Sequence, residues 1–148
     1  MEYRIVDTTK AQLAQIEEIE RQCFSCPWTI EQLQSQLPDE RHVFLAAVDN
    51  SGEVLGYVGM MFVLDEGYIS NVAVAPACRR QGVADALISA LTARTGELGL
   101  AFVTLEVRAG NEPAKALYAK HGFVPVGRRK NYYDLPKEDA ILMTRFWK

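Results

Sequence analysis

The chain alternates between two hydrophobic periods. Tyr3 to Val6 is a short apolar run that predicts a first strand. Leu13, Ile16, Ile19 and Cys23 then recur at helical spacing, which predicts a helix over about Ala11–Cys23. Pro27 breaks the chain. Thr29 and Gln32 have the spacing of a capping box, so a second helix is predicted from there to about Leu37, closed by Pro38. Val43 to Val48 reads as a strand, and Asp49-Asn50-Ser51-Gly52 supplies the turn residues of a hairpin. Val54 to Leu64 is a long apolar run interrupted by Gly56 and Gly59, which predicts a central strand with a bulge or a close backbone contact. Asp65-Glu66-Gly67 reads as a second turn and Tyr68 to Val74 as the next strand.

After Pro76 the pattern changes. A polar loop, Cys78-Arg79-Arg80-Gln81-Gly82, leads into a helix with Val83, Leu87, Ala90 and Leu91 along one face. Phe102 to Arg108 alternates as a strand. Asn111, Glu112 and Pro113 are helix-start residues, Ala114, Leu117, Tyr118 and His121 share a stripe, and Gly122 suits the C-terminal cap. Phe123 to Arg129 and Asp139 to Trp147 read as two closing strands. The expected architecture is α/β, a mixed sheet with helices on both faces.

Length and composition narrow this to one domain over residues 1–148. The chain has 148 residues, 49% of them hydrophobic and 24% charged, close to the averages of a globular protein. A net charge of -3 argues against a generally basic nucleic-acid-binding surface. No apolar run has the ~18–20 residues needed to span a bilayer, and Met1 to Asp7 lacks a secretory signal's basic start and apolar centre. A cytoplasmic protein is expected. The 3 cysteines form no disulfide framework. Cys23 and Cys26 have Cys-x-x-Cys spacing, but Cys78, His42 and His121 are scattered, so packing residues are expected there and no metal.

The chemistry concentrates in Asn71-Val72-Ala73-Val74-Ala75-Pro76-Ala77-Cys78-Arg79-Arg80-Gln81-Gly82-Val83-Ala84. Here the end of a strand meets the start of a helix, where unpaired N–H groups and the positive end of the helix dipole favour an anion. Gly82 and the small Ala84 let a bulky anion approach the backbone, while Arg79 and Arg80 add positive charge, so the segment reads as a phosphate or pyrophosphate cradle. Neither a P-loop nor a dinucleotide fingerprint is present. The plainer alternative is a solvated loop before a helix.

These residues resemble the GNAT superfamily of acyl-CoA-dependent N-acetyltransferases, whose core pattern Arg/Gln-x-x-Gly-x-Gly/Ala is matched around Gly82 and Ala84. The likeness extends over essentially the whole chain. Cys23-Phe24-Ser25-Cys26-Pro27-Trp28-Thr29, Leu105 to Asn111 and Arg128 to Tyr133, followed by Asp139 to Met143, resemble the RimI branch. That branch acetylates the N-terminal alanine of a small-subunit ribosomal protein. The resemblance implies a mostly antiparallel sheet of about seven strands with about four helices. It implies acetyl-CoA as co-substrate, with Val72, Ala73 and Val74 on its pantetheine and thioester. Arg79, Arg80, Gln81, Gly82, Val83, Ala84 and Asp85 would form the pyrophosphate cradle, and Asn111 would make a further contact. Ala84 stands where glycine is common, and the sequence offers no account of Asp85 beside an anion site.

On the strand Phe102–Arg108, Thr104, Glu106 and Arg108 face away from Val103, Leu105 and Val107. From the residues alone Glu106 reads as a solvated carboxylate or a partner of Arg108; the resemblance makes it the general base. Tyr118 reads as a core aromatic or, by the same resemblance, as the general acid for the departing thiolate. On the acceptor side Trp28, Tyr132 and Tyr133 are candidates to line a peptide, with Asp65 and Glu66 available to basic residues; each has an ordinary packing alternative. Arg128-Arg129-Lys130 reads as a solvated face, so no direct nucleic-acid contact is expected.

The expected function is acetyl transfer to the N-terminal peptide of a ribosomal protein. Two alternatives stay open: an acetyltransferase of a small amine, and a non-catalytic acyl-CoA sensor. Intact Glu106 and Tyr118 count against the sensor, and the Cys-Pro-Trp and Tyr-Tyr segments against the small amine.

Overall fold

The computed structural model describes residues 2–148. β1 (Tyr3–Asp7) leads through a 3-10 turn into α1 (Leu13–Cys23) and α2 (Ile30–Gln34). β2 (His42–Asp49), β3 (Val54–Val63) and β4 (Glu66–Val74) form an antiparallel meander. α3 (Val83–Leu98), β5 (Phe102–Arg108), α4 (Glu112–Lys120), β6 (Val124–Tyr133) and β7 (Glu138–Phe146) complete the chain. The strands make one sheet in the order β1-β2-β3-β4-β5-β7-β6, antiparallel except where β4 meets β5.

Both faces of the sheet's first half are covered, which explains why β2 reads as an unbroken apolar run. Val43, Leu45 and Ala47 face the core beneath α3, built on Leu87, Ile88 and Leu91. Phe44, Ala46 and Val48 face the opposite core, where Leu13, Ile16 and Ile19 of α1 meet Leu33 of α2. Burial of that much apolar surface is the main force holding the layers together.

Four boundaries differ from the sequence reading. α2 ends at Gln34 rather than near Leu37, because Gln36 and Leu37 turn back in tighter N–H bonds to the carbonyls of Leu33 and Gln34 before Pro38. The β3–β4 turn is Leu64-Asp65 alone: Val63 already pairs with Glu66, and Leu64 takes the left-handed conformation at φ 56°. β6 continues to Tyr133, which pairs with Glu138, so Tyr132 and Tyr133 lie on a strand rather than in a loop. Asp139 makes this possible by accepting from the Asn131 N–H (2.8 Å) and from Arg128 (2.7 Å) across an irregularity in the ladder. Finally, the helix predicted from about Ala11 opens as a 3-10 turn, Lys10–Gln12, capped by Thr9 and Gln12.

The bulge that prepares the site lies on β4, across from the β3 glycines rather than within β3. Gly59 pairs with Asn71 and Met60 with Ile69, leaving Ser70 as the extra residue of β4. The two glycines of β3 permit close approach: a β-carbon at Gly59 would stand 2.7 Å from the Asn71 side-chain oxygen, and one at Gly56 would stand 2.9 Å from the Ala73 carbonyl. β4 pairs with β5 only from Glu66–Phe102 to Tyr68–Thr104. Past that point β5 continues on β7 and β4 on β3, so the facing edges of Ile69–Val74 and Leu105–Arg108 border a cleft.

Candidate active site

One wall of the cleft is the loop from β4 into α3. Arg80 (φ 64°) and Gly82 (φ 78°) both take left-handed conformations, which folds the loop so that α3 begins without a side-chain cap. The first-turn N–H groups of this 16-residue helix therefore lack a capping acceptor. A β-carbon at Gly82 would meet nothing within 4 Å, so the backbone here is open to a bulky group. These features fit a phosphate-bearing donor: unpaired N–H groups, helix dipole and steric access coincide.

Neighbouring predicted residues take additional or different roles. Arg79 donates to the Val74 carbonyl (3.4 Å) and to Cys23 Sγ (3.3 Å), clasping the end of β4 to α1. Asp85 accepts from Lys120 (2.9 Å) and His121 Nε2 (2.8 Å), tying the first turn of α3 to the end of α4. Those hydrogen bonds, Lys120 first, hold its carboxyl below the usual carboxylate range. This supplies the missing account of Asp85. Asn111 caps α4, its side-chain oxygen accepting from the Ala114 N–H at 3.2 Å.

The cleft's vertex holds Glu106. Alternation on β5 buries Val103, Leu105 and Val107 and turns Glu106 to the other face, where its side chain is only 6% exposed. Tyr68, paired with Thr104 across the last rung of the β4–β5 ladder, donates its hydroxyl proton to Glu106 Oε1. Arg129 Nε stands 3.6 Å from Oε2. Glu106 in turn raises the phenol of Tyr132 through a hydrogen bond, while burial first and then Glu106 push Tyr133 up to about 12. Arg108 is not Glu106's partner: it meets Glu138 (3.3 Å) and the carbonyls of Asp134 and Pro136, and lies over the Tyr133 ring. The structure thus brings Glu106, Tyr132 and Tyr133 together, joined by Tyr68 and Arg129.

Tyr118 sits on α4, buried in the α3-side core with its ring edge-on to Phe123 at 6.0 Å. Burial raises its phenol strongly. No side-chain hydrogen bond among the described residues involves its hydroxyl, which is not one of the sealed, unpartnered polar atoms.

A second buried carboxylate escaped the sequence reading. Glu20, 1% exposed, accepts from the Trp28 N–H (2.9 Å), the Tyr57 hydroxyl and the Asn71 amide (3.3 Å). Glu17 accepts from the Ile30 N–H at 2.8 Å. Together they fix the segment between α1 and α2 and leave Trp28 packed, partly buried, against the α1-side core. A signal for Glu20 was available: position 20 falls on the helical stripe of Leu13, Ile16 and Ile19, where an apolar residue is expected. Among the described residues no cluster of His, Cys, Asp and Glu suits a metal, and no helix is long and apolar enough to cross a membrane.

Comparisons with known proteins converge on this geometry. Residues 13–123 match the family model described as the acetyltransferase (GNAT) family. The chain is 36% identical over 127 residues to the ribosomal protein bS18-alanine N-acetyltransferase of Escherichia coli K12, covering 84% of each chain. The crystal structure of the ribosomal-protein-S18-alanine N-acetyltransferase from Escherichia coli superposes with a TM-score of 0.90 at 33% identity, over 98% of this chain and 94% of that one. Arabidopsis thaliana NAA60, solved in complex with acetyl-CoA, superposes at 0.87 with 26% identity, over 98% and 99% of the two chains. A match over most of its length, with a splayed sheet and an open helix start to go with it, makes this chain an N-acetyltransferase of the acetyltransferase (GNAT) family.

Proposed function

We propose that the chain moves an acetyl group from acetyl-CoA to the α-amine of an N-terminal alanine of a small-subunit ribosomal protein, with Glu106 as proton acceptor and Tyr118 as proton donor. The observation that carries this reading is Glu106 itself: a nearly buried carboxylate at the point where β4 and β5 part, held by Tyr68 on one oxygen and otherwise bordered by the exposed side chains of Tyr132 and Arg129. The activity of the Escherichia coli relatives supports the choice of acceptor.

Arg80, Gln81 and Gly82, with the first-turn N–H groups of Val83, Ala84 and Asp85, hold the pyrophosphate, Arg79 adding charge beside them. The free edge of β4 at Val72, Ala73 and Val74 pairs with the extended pantetheine, and the Asn111 amide nitrogen remains available to it. When bound, acetyl-CoA supplies an acyl carbon activated as a thioester.

The acceptor amine attacks that carbon with its lone pair, so it must arrive neutral. An α-amine near ~7.8 is neutral about a tenth of the time at pH 7, whereas a lysine near ~10.4 is neutral only once in several thousand. Glu106 takes the proton that the nitrogen sheds as the C–N bond forms. N–H groups on β4's free edge stabilise the charge developing on the carbonyl oxygen. As the C–S bond breaks, Tyr118 offers its free hydroxyl to the sulfur. Its phenol lies above the ~8.5 of an ordinary thiol, so its contribution is a hydrogen bond to the building charge, ahead of complete transfer.

A thiol-release assay with acetyl-CoA tests the reading. One acceptor is an alanine-initiated basic peptide; the other is the same peptide with a blocked N-terminus and a free lysine. Turnover on the first alone is expected. Turnover on the blocked peptide, or on neither, would overturn it.

A further inference from the structure

The face of the sheet that carries Glu106 is covered by α1 and α2 only over its first half. None of the sheet residues in that core comes from β5, β6 or β7. Beyond it the face is bare, and its apolar residues are open: Met61 is 38% exposed, Val63 53% and Phe146 57%. A concavity of about 350 Å³ lies there, walled by Met61, Val63 and Phe102, with Thr104 on its floor and Glu66 at its margin. Tyr68 lines the same concavity and donates its hydroxyl to Glu106, so one side chain is shared by the hollow and the catalytic carboxylate.

The geometry points to this hollow as a specificity subsite for an apolar side chain of the acceptor, about four or five residues downstream of the acetylated amine. The inference rests on the acceptor reading above and adds to it a second point of recognition. Phe102, Thr104 and Glu106 occupy alternate positions on one face of β5. Four strand positions separate Phe102 from Glu106, about 13 Å at ~3.3 Å per residue, which an extended peptide matches in about four residues. On the β6 side, Arg129 and Tyr132 close on the carboxylate. The open way along the face therefore runs back down β5, past Thr104 to Phe102. Glu66 at the margin and Asp65 beside it favour basic neighbours around the apolar side chain. An exposed apolar patch continuous with a catalytic group is a common form of substrate surface.

Two octapeptides test this, identical and alanine-initiated with basic flanks, one carrying phenylalanine at the fifth and sixth positions and the other alanine. The wild-type chain is expected to prefer the phenylalanine peptide by about tenfold in kcat/KM, mostly through KM. In Met61→Glu, an exposed position, and in Phe102→Ser, that ratio is expected to collapse toward one. Turnover on both peptides with a ratio near one in the wild type overturns the subsite while leaving the acetyltransferase reading intact. So does a ratio that survives both substitutions. No turnover on either peptide, with acetyl-CoA still bound, overturns the acceptor reading and the subsite with it. A concentration-dependent dimer in sedimentation that Met61→Glu abolishes would assign the face to a second copy of the chain and overturn the proposal as well.

Discussion

Glu20 and Glu106 each accept a hydrogen bond from a tyrosine of the sheet, Tyr57 in the first case and Tyr68 in the second, and there the likeness ends. Glu20 is sealed between α1 and the sheet, and its two oxygens receive three donors: the Trp28 N–H, the Tyr57 hydroxyl and the Asn71 amide. Glu106 stands where two strands part; Tyr68 holds one oxygen, and its other neighbours, the Tyr132 phenol and Arg129 at 3.6 Å, are exposed side chains. A carboxylate whose lone pairs are committed is a fastening, because accepting a proton would cost it those bonds. A carboxylate whose remaining partners are exposed side chains can take a proton without dismantling its surroundings. The difference teaches that two buried carboxylates are told apart by the state of their partners, and it is the ground for proposing Glu106 rather than Glu20 as the base.

The largest expected effect on stability comes from Glu20. Glu20→Leu strands the buried Tyr57 hydroxyl and two half-buried donors and should lower the unfolding free energy by about 3 kcal/mol. For a chain of this length that amounts to a fall of about 10 °C in Tm, and an unchanged Tm would deny Glu20 its fastening role.

Tyr118→Phe comes next. The hydroxyl has no partner to lose, so Tm should hold while kcat drops by roughly tenfold to thirtyfold, about 1.4–2 kcal/mol. Equal losses of stability and activity would return Tyr118 to the core.

The smallest effect is seen in alkali. Tyr133, pushed up to about 12, has a folded value above its unfolded one near ~10. Its contribution to stability is complete below about pH 10 and is lost as pH rises toward 12. Phenolate absorbance should therefore lag a model tyrosine's in the folded chain and rise with unfolding. A titration complete near pH 10 in folded protein would show the Glu106 cluster to be open to water.

Local chemistry was legible in the sequence, and distant partnership was not. Thr29 and Gln32 are three residues apart and their capping box is present, with both of its hydrogen bonds. The strand Phe102–Arg108 and its alternation were readable for the same reason, as was the close contact at Gly59, whereas the bulge beside it lies on β4. Tyr68 was invisible as a partner of Glu106 because 38 residues and a parallel crossover separate them. Asp85 had no reading because Lys120 and His121 lie on another helix. The continuation of β6 through Tyr132 and Tyr133 depends on Asp139 of the neighbouring strand, so the basic run before it looked like the end of the element. Glu20 is the instructive case, since a charge on an apolar stripe was on view in the helical period itself.

The central claim is that the carboxylate at the cleft, and not the sealed one, takes the proton. It is tested most directly by measuring kcat on an alanine-initiated peptide for the wild type, Glu106→Gln and Glu20→Gln side by side, with acetyl-CoA affinity and Tm recorded for each. Glu106→Gln is predicted to lose about a thousandfold in kcat with its Tm and acetyl-CoA affinity preserved. Glu20→Gln is predicted to lose stability and to keep kcat within about tenfold while folded. A Glu106→Gln enzyme that turns over at the wild-type rate, or a Glu20→Gln enzyme that is fully folded and inactive, would contradict the account.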